Sequence, residues 1–311
     1  MRTAAEHAPR VRATRCAICG TEGEASVLYP ATFDVGSVGP GMFSARRPPD
    51  RVHYRMVRCL RCGLVRSDPV LEPAALDELY ARSGFHYAGE IPNLRATYGH
   101  FLYELDKYGV RRQRLLDIGC GNGFLLEEAL DQGFTSVHGV EPSQDAVAKA
   151  GPRVATQIVC DVMRPGLFEP GSFDVVCLFQ VLDHIADPRA LLEECRGLLA
   201  PGGLILAVNH NVASFTARML GERSPIVDIE HTYLYSPATM SRLFEAAGLV
   251  IRHVGAVRNT FSLEYLIRLA PFPPPWRALA LRLLAGTRLR RVRLTLPLGN
   301  LRLVGQRPPS A

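Results

Sequence analysis

No apolar run in the 311 residues reaches the length of a membrane span. Met1 to Arg15 is polar and basic and lacks the apolar centre of a secretory signal, so a cytoplasmic chain is expected. Acidic residues stop at Glu264. Beyond it stand nine arginines: Arg268, Arg277, Arg282, Arg288, Arg290, Arg291, Arg293, Arg302 and Arg307. They outnumber the net charge of +6, so the rest of the chain is mildly acidic. That distribution argues against a surface that coats nucleic acid globally. The dinucleotide pattern G-x-G-x-x-G is also missing: the sixth position is Phe124 counted from Gly119 and Leu126 counted from Gly121. Eight cysteines form no disulfide framework. Four fall into two C-x-x-C pairs. Cys120, Cys160, Cys177 and Cys195 are scattered singly through strand and helix patterns, as small hydrophobes are.

The stretch around which the chain is organised is Leu115 to Leu126. A short apolar run ends in Asp117, glycines follow at 119, 121 and 123, and an amphipathic segment starts at Phe124. This predicts a strand, a tight turn and a helix. The glycines are needed where the backbone takes positive φ or lets a ligand approach without a Cβ in the way. A ligand here sits at the carboxyl end of a strand, where open α/β sheets bind theirs. A hydrophobic content of 47% supports a sizeable core. Apolar strands recur at Ser136–Val140, Gln157–Cys160, Phe173–Phe179 and Leu204–Val208, with helical stretches between them. That alternation predicts a doubly wound parallel sheet.

The pattern D-x-G-x-G-x-G from Asp117 to Gly123 resembles the first motif of class I S-adenosylmethionine (SAM) methyltransferases. Glu141-Pro142-Ser143 at the second strand end and the Pro201-Gly202-Gly203 turn before the fifth strand fit the same family. The resemblance covers about residues 110 to 257 and implies a Rossmann-like SAM-binding sheet. It implies that Gly119, Gly121 and Gly123 let the cofactor approach and that Asp117 faces its ammonium group, directly or through water. Glu141 is placed to accept from two ribose hydroxyls. In the family an acid at the third strand end, here Asp161, meets the adenine amino group, with the Val162 N–H on the ring. An Asp-His pair such as Asp183-His184 is common after the fourth strand; His184 stands either beside the reacting groups or as a structural loop residue.

Cys16-Ala-Ile-Cys19-Gly20 and Cys59-Leu-Arg-Cys62-Gly63 are knuckles that let four thiolates close on one structural zinc. Reduced unligated pairs, or a redox pair, are the alternatives. Residues 30 to 50, rich in Gly and Pro, read as an excursion between the knuckles. The predicted organisation is a zinc-ribbon-like module (1–70), a helical linker or lid (71–110), a SAM-binding core (111–258) with an acceptor-site insertion (209–237), and a basic extension (259–311) ending in a sheet strand. Aromatics from Tyr80 to Tyr108 serve either as a lid over the nucleoside or as packing between zinc module and core.

The insertion holds His210 and then Glu230-His231-Thr-Tyr233-Leu-Tyr235-Ser236. This stretch, with the two knuckles, resembles bacterial deoxysugar C-methyltransferases. The resemblance implies His231 as general base, oriented by Glu230; the bland alternative is that His231 helps cap the following helix. The expected activity is methyl transfer to a small molecule, favoured as a nucleotide-linked sugar. RNA, a lipid-linked acceptor reached through the basic C-terminal end, and non-catalytic SAM binding are the rivals. No interleaved arginine and aromatic platform for RNA is visible. The short basic helix at Trp276–Leu284 reads either as a solvated face or as peripheral contact with an anionic membrane. Asn259–Leu269 reads as a helix and Leu301–Val304 as the last strand.

Overall fold

The computed structural model describes residues 11–34, 50–84, 88–270 and 272–309. Most of the expected 30–50 excursion, and Phe85 to Tyr87 of the aromatic run, lie outside the described residues. The N-terminal part contributes β1 (Val11–Arg12), β2 (Ala25–Tyr29), β3 (Met56–Cys59), β4 (Val65–Ser67) and β5 (Val70–Leu71). Two helices follow, α1 (Pro73–Ala81), which carries its proline in the first turn, and α2 (Ile91–Tyr103). The core then alternates β6 (Arg114–Ile118), α3 (Phe124–Asp131), β7 (Ser136–Val140), α4 (Gln144–Val147), β8 (Ile158–Val159), β9 (Phe173–Phe179), α5 (Pro188–Leu198) and β10 (Leu199–His210). After β10 come α6 (Phe215–Leu220), β11 (Tyr233–Leu234), α7 (Pro237–Ala246), β12 (Val250–Ser262), α8 (Leu263–Leu269), α9 (Pro274–Ala285) and β13 (Arg293–Gln306).

Seven strands make the main sheet, in the order β12-β13-β10-β9-β6-β7-β8. Strands β6 to β10 are parallel, and β13 runs antiparallel to both its neighbours. The strand order reverses between β6 and β9, and ligands bind at such a switch point. Successive residues fall on opposite faces of the sheet. Leu116, Val176 and Ile205 pack beneath Leu192, Leu243 and Phe244 of α5 and α7. Leu115, Val175 and Leu204 pack against Leu102, Leu125 and Leu126 of α2 and α3. Burial on both faces is why β9 reads as a continuous apolar run rather than an alternating one.

Two expectations need correction. Asn259 to Ser262 is not helical: β12 runs to Ser262, whose hydroxyl caps α8 by accepting from the Tyr265 N–H at 3.1 Å. The last strand is far longer than Leu301–Val304. It starts at Arg293 and pairs with β12 from Val250–Gln306 to Ser262–Arg293. A long antiparallel ladder carries 259–262, which include the strand-favouring Thr260 and Phe261, and it spans the boundary expected at residue 258. A second, four-stranded sheet has the order β11-β4-β3-β2. Its β11 comes from the expected acceptor insertion and pairs Tyr233 with Arg66 and Leu234 with Val65.

Candidate active site

At the end of β6 the chain turns through Gly119, Gly121 and Gly123, with φ of 73°, 57° and 75°. A Cβ on Gly119 would stand 2.6 Å from Val181, and one on Gly123 2.9 Å from Val154, so neither the backbone angle nor the space admits a side chain. Asp117 is buried, and its Oδ1 has no hydrogen-bond partner among the described residues. Burial, then the charge of Glu141, pushes its carboxyl well above the usual range. Glu141 is raised by burial as well, against the pull of two backbone donors. Its Oε2 accepts from the Gly121 N–H at 2.9 Å and its Oε1 from the Ser143 N–H at 2.8 Å. A buried Asp117 with an unpartnered oxygen beside a half-buried Glu141 fits a cationic ligand that also offers hydroxyl donors. SAM, with its sulfonium, ammonium and ribose hydroxyls, is such a ligand.

Asp161 and Val162 behave otherwise than expected. Asp161 Oδ1 accepts the Val162 N–H at 2.8 Å, and its Oδ2 pairs with Arg164 at 2.5 Å. The expected adenine contacts are thus engaged with one another. Val162, Met163 and Arg164 line the cavity next to the glycine turn, and Asp161 is not among its lining residues.

That cavity, of about 810 Å³, runs from Asp117 and Glu141 to a cluster of three histidines. Asp183, fully buried after β9, is the centre of the cluster. Its Oδ2 accepts from His210 Nδ1 at 2.6 Å, its Oδ1 accepts from Asn209 Nδ2 at 2.9 Å, and His184 Nε2 stands 3.6 Å from Oδ1. Burial alone would raise Asp183, but the surrounding imidazoles hold it far below the usual carboxylate range. The His231 ring lies 4.5 Å from that of His210 and 4.9 Å from that of His184, centre to centre. Burial lowers both His184 and His231, against the pull of the Asp183 carboxylate. The loop is fastened here by the Asp183 carbonyl, which accepts the Thr232 N–H at 2.7 Å. Gln180, which lines the cavity ahead of Asp183, holds φ at 58°, a costly conformation for a non-glycine residue at a strand end.

The orientation expected for His231 is corrected. Its Nδ1 donates to the Ile226 carbonyl at 2.8 Å, not to Glu230. Glu230 is buried at the cavity, and its backbone carbonyl is 3.0 Å from His184 Nδ1 and accepts the Tyr80 hydroxyl at 3.3 Å. His231 does not cap α7: the Ser236 hydroxyl does, with Thr239 completing the box. Asp183 and His210 are the pair that sequence reasoning passed over. His210 ends β10, beside β9 and at the carboxyl end of a parallel strand, which is the position that could have flagged it. The aromatic run divides between the cavity wall and the core of the main sheet, and among the described residues α2 is not packed between the cysteine module and that core. Tyr80 and Tyr98 line the cavity, whereas Phe101 is buried in the core and α2 packs on α3 and β12.

In the second sheet the sulfurs of Cys16, Cys19, Cys59 and Cys62 lie within 4.8 Å of one another, with Gly20 and Gly63 at positive φ closing each knuckle. Four thiolates converging on one point suit a closed tetrahedral zinc site. Of the single cysteines, Cys120, Cys177 and Cys195 are buried and Cys160 is exposed.

A family model described as a methyltransferase domain matches residues 91–254, more than half of the chain. A ubiquinone biosynthesis O-methyltransferase from Neisseria meningitidis serogroup C is 28% identical over 209 residues, which cover 61% of this chain and 85% of that protein. Its counterpart from Pseudomonas aeruginosa (strain LESB58) is 32% identical over 176 residues, covering 51% and 75% respectively. Among solved structures, a SAM-dependent methyltransferase from Archaeoglobus fulgidus aligns with a TM-score of 0.45 and 20% identity, over 68% of this chain and 94% of that one.

Proposed function

The chain belongs to the methyltransferase-domain family and is a SAM-dependent methyltransferase; on that premise we propose that it methylates a hydroxyl group of a small molecule held in the histidine end of the cavity. The observation that carries the reading is the Asp183–His210 pair, whose His210 lines the same cavity as Asp117 and Glu141 while Asp183 stands buried behind it. The names of the relatives, ubiquinone biosynthesis O-methyltransferases, support oxygen as the acceptor atom. The nucleotide-linked sugar favoured from the Glu230-His231 stretch has no support among them.

Bound SAM supplies a methyl group on a positively charged sulfur. Asp117 receives the cofactor's ammonium and Glu141 its ribose hydroxyls, while Gly119, Gly121 and Gly123 allow the close approach. A hydroxyl acceptor must lose its proton as it is methylated. His210 takes that proton on Nε2, because its Nδ1–H is committed to Asp183, which also stabilises the imidazolium that forms. His231, the base expected from sequence, has its Nδ1 on the neutral Ile226 carbonyl and not on a carboxylate. The four cysteines hold a structural zinc that fixes the sheet to which the acceptor loop is joined.

Labelled methyl from SAM, traced into acid-soluble, lipid and RNA fractions of a cell extract, tests the reading. Label in a small molecule as a methyl ether supports it. Label in RNA, or on carbon of a sugar, overturns the acceptor. His210→Ala is expected to slow turnover by about 10²- to 10⁴-fold with SAM affinity unchanged, and His231→Ala by much less. The reverse order would return the base to His231.

A further inference from the structure

Helix α9 exposes Trp276, Leu279 and Leu283, with relative exposures of 65%, 45% and 68%. Their spacing of three and four residues places them within about 60° of one another around the helix, so they form one apolar stripe. Phe272 before the helix and Leu289 and Val292 after it in the chain are exposed as well. Arg282, Arg288 and Arg290 are exposed among them, and from residue 265 to 311 the chain carries no carboxylate side chain. An apolar stripe interleaved with arginines and free of acids matches the interface of a bilayer bearing negative headgroups: rings and leucines enter the acyl boundary while the guanidinium groups remain at the phosphates. A second copy of the chain is a poorer occupant, since two-fold pairing of this face would bring the same arginines together.

We propose that α9 and the segment from Arg288 to Val292 dock on an anionic phospholipid surface. The location gives the contact a use. Helix α8, which packs against α9 and against residues 288–291, contributes Tyr265 and Leu266 to the cavity lining. On the reading that this cavity takes the methyl acceptor, docking brings one rim of it to the lipid, and an amphiphilic acceptor enters from the bilayer. The docking itself does not rest on that reading.

Trp276 is the only tryptophan of the chain, so it reports on its own surroundings. The full-length protein, without SAM, is mixed with vesicles of phosphatidylglycerol or of phosphatidylcholine. Sedimentation with phosphatidylglycerol vesicles at least tenfold more than with phosphatidylcholine is expected, falling as salt is raised. The emission of Trp276 shifts to shorter wavelength and is quenched by brominated lipid. Leu279→Asp with Leu283→Asp, both exposed positions that leave the core untouched, abolishes sedimentation. Failure to bind phosphatidylglycerol overturns the proposal, as does binding with unchanged Trp276 emission. A doubled mass in light scattering that the two substitutions abolish would assign the face to a second copy instead. None of these readouts involves methyl transfer, so a wrong acceptor would not disturb them.

Discussion

Asp117 is a carboxylate whose burial makes sense only with a ligand present. With no cation beside it, its pKa is raised, so the folded protein holds this proton more tightly than the unfolded chain does. Its contribution to stability is therefore present at low pH and is lost as pH rises through the raised value. Asp117→Asn is expected to raise the melting temperature of the SAM-free protein at neutral pH and to flatten that pH dependence. The same substitution should weaken SAM binding by about 10- to 100-fold, because an amide oxygen replaces a charged acceptor opposite the ammonium. Calorimetry with and without SAM checks both signs; a variant that loses stability and keeps affinity would remove Asp117 from the cofactor site. Asp183 is the opposite case, held ionised by its imidazole neighbours. Since it acts through His210, Asp183→Asn should cost about as much turnover as His210→Ala, with the double variant little worse than either. Measured rates that simply multiply would dissolve the pair.

Elements tie the two ends of the molecule together. Strand β11 leaves the 209–237 segment, the proposed acceptor loop, to join the sheet that carries three of its strands from the cysteine module. Ser67 of that sheet also donates its hydroxyl to the His231 carbonyl at 2.8 Å, and the Tyr233 hydroxyl donates to the Arg15 carbonyl at 3.0 Å. Removal of the zinc proposed for the four cysteines should therefore be felt at the acceptor and not at the cofactor. Cys59→Ser, or chelation, is expected to raise the acceptor KM and lower kcat while SAM affinity stays within about twofold, because Asp117, Glu141 and the glycine turn belong to the other sheet. Equilibrium binding of SAM to the chelated protein decides this. The glycine turn is a second element that tolerates no change. Gly119→Ala would bring a Cβ onto Val181 at a φ of 73° and should destabilise the fold by about 1–3 kcal/mol, read as a shift in the urea midpoint.

At the scale of the whole molecule, the C-terminal strand is interior. Strand β13 lies between β10 and β12, paired with β12 from Arg293 to Gln306 and with β10 from Asn300 to Gln306, and Leu301, Leu303 and Val304 are buried in the two core layers. Truncation after Thr287 would expose the edge of β10 and strip β12 of its partner, leaving the buried faces of Val208 and Leu206 uncovered. Such a chain is expected to lose its cooperative thermal transition and to aggregate. A soluble, SAM-binding truncation would show that the five parallel strands stand alone. Among the described residues no helix is long and apolar enough to cross a membrane.

Local chemistry was legible in the residues themselves. The turn at Gly119 to Gly123, the acid at each of two strand ends, the paired cysteine knuckles and the apolar strands β6, β7, β9 and β10 all depend on neighbours within a few positions, where period and turn chemistry speak directly. What depended on distant partners was not. Asn259–Ser262 joined a strand because residues 293–296 lay alongside. Asp161 turned to Val162 and Arg164. His231 leaned on Ile226 and not on the adjacent Glu230. Asp183 met His210 across 27 positions of chain. Sequence alone determined which groups could bind a cationic nucleoside and a soft metal, because those properties belong to single side chains and short turns. Tertiary structure decided which carboxylate faces which imidazole, since register between strands and closure of a loop set distances that no local pattern encodes.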